Sequence, residues 1–133
     1  SDLVEGFNYQ KGNFSSIKMN GQEVYKFAVR EVPIILENLL RKYEISSDSI
    51  DWLLLHQANQ RILNAVADRL DISYSKVLTN LSSFGNTSAA TIPLILDEAV
   101  RDGRVQSGDL IASSGFGAGL SWGAALFYWQ GPD

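Results

Sequence analysis

A chain of 133 residues, 45% apolar and 20% charged, is long enough to bury one hydrophobic core and too apolar to stay disordered. Fifteen acidic against eleven basic side chains give a net charge of −4, which argues against the broad positive field that nucleic-acid binding needs. With no cysteine and one histidine, these residues exclude disulfides, thiolate metal sites and a cysteine nucleophile, and they argue against a histidine zinc cluster.

The opening "SDLVEGFNYQ" has neither a basic start nor an apolar run, so no signal peptide is expected. The longest apolar runs fall far short of a membrane span. Residues 1–19 are rich in Gly, Asn and Ser and read as a leader or loop, with the domain proper over 20–133. The first clear element is "NGQEVYKFAVREVPIILENLLRKYEI". Asn20 followed by Glu23 forms a capping-box-like start, and Val24, Ala28, Val32, Ile35 and Leu39 recur at helical spacing. Pro33 lies inside, so a kink or a break into two helices is expected near it.

The run "IDWLLLH" is apolar without alternation, as suits a strand covered on both faces of a parallel sheet. After it, "NQRILNAVADRL" places Ile62, Leu63, Val66 and Leu70 on one helical face. The segment "SKVLTNLS" can hold a further brief strand. The stretch "SSFGNTSAATIPLILDEAVRDG" reads as a loop and then a helix, with Gly103 ending it. Finally "GDLIASSGFGAGLSWGAALFYW" reads as strand, Gly-rich turn and strand. Helices alternating with buried strands indicate an α/β fold with a mixed sheet, packed helices and a C-terminal β-hairpin.

Three short motifs carry candidate chemistry. His56 stands where the apolar strand meets a helix, a place where open α/β sheets bind ligands. Such a histidine can donate a hydrogen bond or act as a general base, and it can equally serve only to fix the loop. Asn86 in "FGNTSAA" offers two uncharged N–H donors, fit to polarise a carbonyl or simply to cap the following helix. The run "SGFGAGLSWG" lacks the strand–turn–helix setting of a dinucleotide loop, so a nucleotide reading is rejected. It remains a glycine-permissive turn, or a turn that aims a backbone N–H into a pocket.

Together and in this order, "HQANQRI", "GNTSAA" and "SGFGAGLSWG" resemble the C-terminal part of β-ketoacyl-acyl-carrier-protein synthase III, the initiating condensing enzyme of type II fatty-acid synthesis. The resemblance runs from about Met19 to Trp129 and includes "NGQEVYKFAV" and "LDEAVRDGRVQSGDLIA". Two-histidine condensing enzymes would need a second histidine, and chalcone-synthase-type relatives carry different surrounding motifs. The resemblance implies part of the C-terminal half of a thiolase-like fold, in which two similar α/β halves enclose the active site. It implies acyl transfer from acyl-coenzyme A, then condensation with malonyl-acyl-carrier protein and loss of carbon dioxide. No cofactor and no metal are implied.

The family's triad is Cys, His and Asn, and the matching positions here are His56 and Asn86. The cysteine lies in the N-terminal half, which this sequence lacks. A backbone N–H at the position of Ala118 is implied as an oxyanion donor, although family members often carry glycine there. Phe116 matches an aromatic beside the reactive centre. Arg61 matches a basic residue that docks the acidic carrier protein, and Arg69 on the same helix can extend that patch, although Asp68 departs from the basic pattern. The resemblance further implies a homodimeric full enzyme in the cytoplasm, or in the plastid stroma of a plastid-bearing source. It implies no membrane or nucleic-acid partner. A fragment of such an enzyme, a subunit completed by a separate cysteine-bearing chain, and a non-catalytic carrier-protein-binding module are the three readings that remain open.

Overall fold

The computed structural model describes residues 7–8, 13–14, 21–57, 59–80, 90–117 and 121–131. Two short strands, β1 (Phe7–Asn8) and β2 (Asn13–Phe14), pair antiparallel. The main unit is built from helix α1 (Gly21–Lys42), strand β3 (Trp52–Leu55), helix α2 (Gln60–Leu70), helix α3 (Thr91–Arg101) and strands β4 (Leu110–Gly117) and β5 (Ser121–Tyr128). The sheet order is β3-β4-β5: β3 runs parallel to β4, and β4 pairs antiparallel with β5 from Leu110↔Tyr128 to Gly117↔Ser121. The expected mixed sheet and C-terminal hairpin are both present.

The lack of alternation in β3 and in the first half of β4 has a direct cause: both faces of the sheet are covered. Leu53 and Leu55 of β3, with Leu110 and Ala112 of β4, pack in one buried cluster with α1 and α2. Leu54 and Ile111, one residue out of phase, belong to a second cluster with Ile95 and Ala99 of α3 and with Leu78 and Val105. The result is a three-layer sandwich of α1 and α2, then sheet, then α3. Each large aliphatic side chain buried in this way contributes roughly 1.5–3 kcal/mol relative to exposure. On β5 the covering is thinner. Ala124 and Leu126 reach the first cluster and Phe127 the second, while Trp122 and Tyr128 are 44% and 57% exposed.

Helix α1 passes through Pro33 without a break, so the expected division into two helices is not seen. Ala28 and Val32 before the proline and Leu36 and Leu40 after it share one buried stripe, which keeps the two sides on a common axis. The buried stripe also lies one residue away from the expected one in its second half. Leu36 and Leu40 fill the core, and Ile35 and Leu39 are half-buried. The expected cap at Asn20 lies outside the described residues.

Helix α2 buries Ile62, Leu63, Val66 and Leu70 as expected, and Ala67 with them. Its start is fixed by Asn59, whose side-chain oxygen accepts the Ile62 N–H at 3.0 Å. Helix α3 ends as expected near Gly103, whose φ of +82° suits glycine and whose N–H donates to the Val100 carbonyl. The brief strand expected in "SKVLTNLS" reduces to a single parallel bridge, Leu53↔Val77, with the Leu78 N–H donating to the Leu53 carbonyl. Among the described residues, no helix is long and apolar enough to cross a membrane.

Candidate active site

The apolar run of β3 stops at Leu55, and the next residue is His56. Its backbone N–H donates to the Ser114 carbonyl at 3.0 Å, which carries the parallel ladder one step beyond the last pair, Leu55↔Ser114. The imidazole therefore stands at the carboxyl ends of two parallel strands, where open α/β sheets place their ligands. Phe116, two residues farther along β4, meets the ring edge-to-face, with centroids 5.2 Å apart and planes at 87°.

Half-buried against this aromatic, His56 loses hydration of its charged form, and its pKa is lowered below 6.5. No charged neighbour contributes to that shift. The ring is therefore neutral at physiological pH. One of its nitrogens carries a proton and the other a lone pair. Such a group can donate to an oxygen on which negative charge develops, and among the described residues no carboxylate shifts its pKa.

Directly after His56 lies Gln57, which is fully buried. Its amide nitrogen donates to the Leu55 carbonyl at 2.7 Å and to the Leu78 carbonyl at 3.3 Å. Its amide oxygen accepts the Thr79 hydroxyl at 2.9 Å. Asn80 follows, also buried, and neither its amide nitrogen nor its oxygen has a hydrogen-bond partner. Neither amide was picked out by sequence reasoning. The available signal was a glutamine continuing a fully buried apolar run, where a polar side chain persists only if bonded. On the other side of β4, the Ser114 hydroxyl donates to the Gly123 carbonyl at 2.8 Å and ties the hairpin at the level of the histidine.

Of the residues singled out by sequence, His56 and Phe116 are brought into contact. Asn86 and Ala118 lie outside the described residues. Arg61 is exposed, with its guanidinium 4.7 Å from the centre of the Tyr25 ring. With Gly21, Gln22, Tyr25, Lys26 and Asn59 it lines a cleft of 450 Å³ between the starts of α1 and α2. Lys26, which the sequence reading passed over, adds a second positive charge there. Arg69 sits two turns farther along α2, about 12 Å at 1.5 Å per residue. It lines a different cleft with Glu37, Arg41 and Asp71. The two arginines thus line different clefts, and acidic groups share the surroundings of Arg69. Among the described residues, no cluster of three or more His, Asp or Glu side chains is placed to hold a metal ion.

A sheet of parallel and antiparallel strands between helical layers, with a neutral histidine at the strand ends, places the chain in the thiolase-like α/β class. Residues 40–129 match the family described as 3-oxoacyl-(acyl-carrier-protein) synthase III, C terminal, and the chain belongs to that family. It is 75% identical over 130 residues to the β-ketoacyl-(acyl-carrier-protein) synthase III of Prochlorococcus marinus (strain SARG), covering 98% of this chain and 38% of that protein. A Synechococcus synthase III is 70% identical, with 98% and 39% covered.

Among solved structures, the 3-oxoacyl-(acyl carrier protein) synthase III of Pseudomonas aeruginosa superposes with a TM-score of 0.85 at 35% identity, covering 95% of this chain and 39% of that one. The Aquifex aeolicus counterpart gives a TM-score of 0.82 at 37% identity, with 97% and 42% covered. The chain spans about two-fifths of the length of these relatives.

Proposed function

We propose that this chain supplies the decarboxylation half of a β-ketoacyl-acyl-carrier-protein synthase III active site. The full enzyme joins a short acyl group from acyl-coenzyme A to malonyl-acyl-carrier protein and so starts fatty-acid synthesis. The acyl group is first held as a thioester on a cysteine supplied by the N-terminal half. Loss of carbon dioxide from the malonyl thioester leaves an enolate. The His56 ring N–H and the Asn86 amide donate to its oxygen while the charge builds. The enolate carbon then attacks the acyl thioester, the new carbon–carbon bond forms, and the cysteine thiolate leaves. The Ala118 backbone N–H, with the cysteine's own N–H, stabilises the oxyanion of the acyl-transfer steps. Phe116, in edge-to-face contact with the imidazole, steadies the ring. Arg61, with Lys26 beside it, meets the acidic carrier protein. The cytoplasm or a plastid stroma is the compartment in which those substrates are met.

The observation that carries this reading is a half-buried His56 at the carboxyl ends of β3 and β4, its pKa lowered by burial and, among the described residues, with no carboxylate acting on it. The test joins this chain to the N-terminal portion of the Prochlorococcus relative, whose length it covers to 38%. Such a protein is expected to release carbon dioxide from malonyl-acyl-carrier protein and to form a 3-oxoacyl product. The 133-residue chain alone, having no cysteine, is expected to form no cysteine-bound acyl-enzyme. A joined protein that acylates its cysteine yet never decarboxylates the malonyl thioester would remove the proposed role of His56 and Asn86. It would favour the carrier-binding module instead.

A further inference from the structure

We propose that Gln57 is a positioning residue, whose buried amide holds His56 in register with the segment that leads to Asn86. The inference deepens the reading of the active site given above and rests on it for its kinetic test.

The peptide between Leu55 and His56 is held from both sides. Its N–H donates to Ser114 of β4, and its carbonyl accepts the Gln57 amide at 2.7 Å. The same amide reaches across to the Leu78 carbonyl at 3.3 Å and accepts the Thr79 hydroxyl at 2.9 Å. Both amide protons are used, and the oxygen is engaged. Backbone pairing between β3 and the 77–80 segment consists of the one bridge at Leu53↔Val77 and the bond from the Leu78 N–H to the Leu53 carbonyl. Beyond it the Gln57 side chain takes the place of a ladder. Thr79 lies seven residues before Asn86 in the sequence, so one fully buried amide links the end of β3 that bears His56 to the described residues that precede Asn86 in the chain. An apolar side chain of similar size would fill the space but leave the Leu55 and Leu78 carbonyls without this partner. The purpose of a glutamine here is alignment: a donor displaced by a fraction of an ångström no longer meets the oxygen on which charge develops.

The experiment uses the joined, cysteine-bearing enzyme and compares Gln57→Met, Thr79→Val and Thr79→Ser with the parent. Two half-reactions are followed, acyl-enzyme formation on the cysteine and carbon dioxide release from malonyl-acyl-carrier protein. Gln57→Met is expected to lower kcat for decarboxylation at least about tenfold, with KM and acyl-enzyme formation within about twofold. Thr79→Val should give a smaller fall in the same step, and Thr79→Ser, which keeps the hydroxyl, should restore it. If Gln57→Met does not fold, the Thr79 pair decides the matter alone. Equal losses in both half-reactions would mean a merely structural amide, and no loss in either would also overturn the proposal.

Failure of the underlying reading would show differently, as a parent enzyme that acylates but does not decarboxylate. In that case the imidazole resonances decide. The His56 signal, identified by its absence in His56→Ala, must shift in Gln57→Met, and an unchanged signal overturns the positioning role.

Discussion

The two ends of β3 are both fastened by side chains, but with opposite chemistry. At the amino end the fastening is anionic. An Asp51 carboxylate oxygen accepts the Leu110 N–H at 2.8 Å, and Asp109 accepts the Trp52 indole N–H and the Gln106 N–H, each at 2.9 Å. At the carboxyl end the fastening is neutral: Gln57, Thr79 and the hydroxyl of Ser114 carry the bonds. Carboxylates are the stronger acceptors for backbone N–H groups, so their use at the amino end is good for stability. Near His56 a carboxylate would raise the imidazole pKa and repel an enolate. In these strand-end bonds, the carboxylates stand at the end where no chemistry is proposed.

That contrast can be broken at either end. The largest effect is expected from His56→Ala in the joined enzyme. Removing one oxyanion-type donor costs roughly 2.7–4 kcal/mol, a fall of about 100- to 1,000-fold in decarboxylation rate. Steady-state kinetics should show it with acyl-enzyme formation retained. Asn86→Asp should be nearly as damaging as Asn86→Ala, because a carboxylate in place of the proposed amide donor would repel the enolate; a mild Asp variant would remove the enolate from the mechanism.

At the amino end, Asp109→Ala should cost about 1–3 kcal/mol of folding stability in urea, since the Trp52 and Gln106 donors lose their acceptor. The turnover of the folded fraction should not change. A selective loss of turnover would join the two ends that the comparison separates.

A smaller effect sharpens the comparison through pH. Because burial lowers the His56 pKa, its imidazole resonance should titrate below 6.5. The unfolded chain then binds the proton more tightly than the folded one. The stabilising contribution is complete above pH 6.5 and is lost as pH falls toward the lower folded value. A midpoint above 6.5 would reveal an anionic neighbour at the carboxyl end. Last, Arg61→Ala should raise KM for malonyl-acyl-carrier protein by about 1.4- to fivefold, the roughly 0.2–1 kcal/mol of an exposed charge pair, and Arg69→Ala should change it less. Equal effects would restore a single continuous patch along α2.

The sequence made the layered core legible because its strongest signals are periodic. The unalternating "LLL" of β3 and the four expected positions of α2 all report burial directly, and both were found where expected. The errors arose where two patterns were equally compatible with the residues. Helix α1 carries adjacent apolar faces, so Ile35 and Leu39 compete with Leu36 and Leu40 for the core, and only tertiary packing chooses between them. A proline inside a helix likewise says little about whether a shared hydrophobic stripe will keep the halves aligned.

His56 and Phe116 stand out in the sequence through the family motifs, and their contact follows from strand register. Gln57 does not, because its role depends on Leu78 and Thr79, which are distant in sequence and meet it only through the Val77 bridge. The separation of Arg61 from Arg69 was also hidden. Eight positions along a helix turn the side chain by about 80° around the axis and place the two charges beside opposite ends of α1.

Strand β5 is the last in its sheet among the described residues, and its eight residues, "SWGAALFY", contain no charge and no proline. Native edge strands usually carry lysine, proline or a bulge that discourages further pairing. This one offers an uninterrupted row of backbone donors and acceptors flanked by exposed Trp122 and Tyr128. Produced without a neighbouring strand to occupy that edge, the chain is a template for its own copies, and fibrillar β-assembly is the hazard to plan for in handling it. A capping peptide that adds one antiparallel strand would keep it in solution.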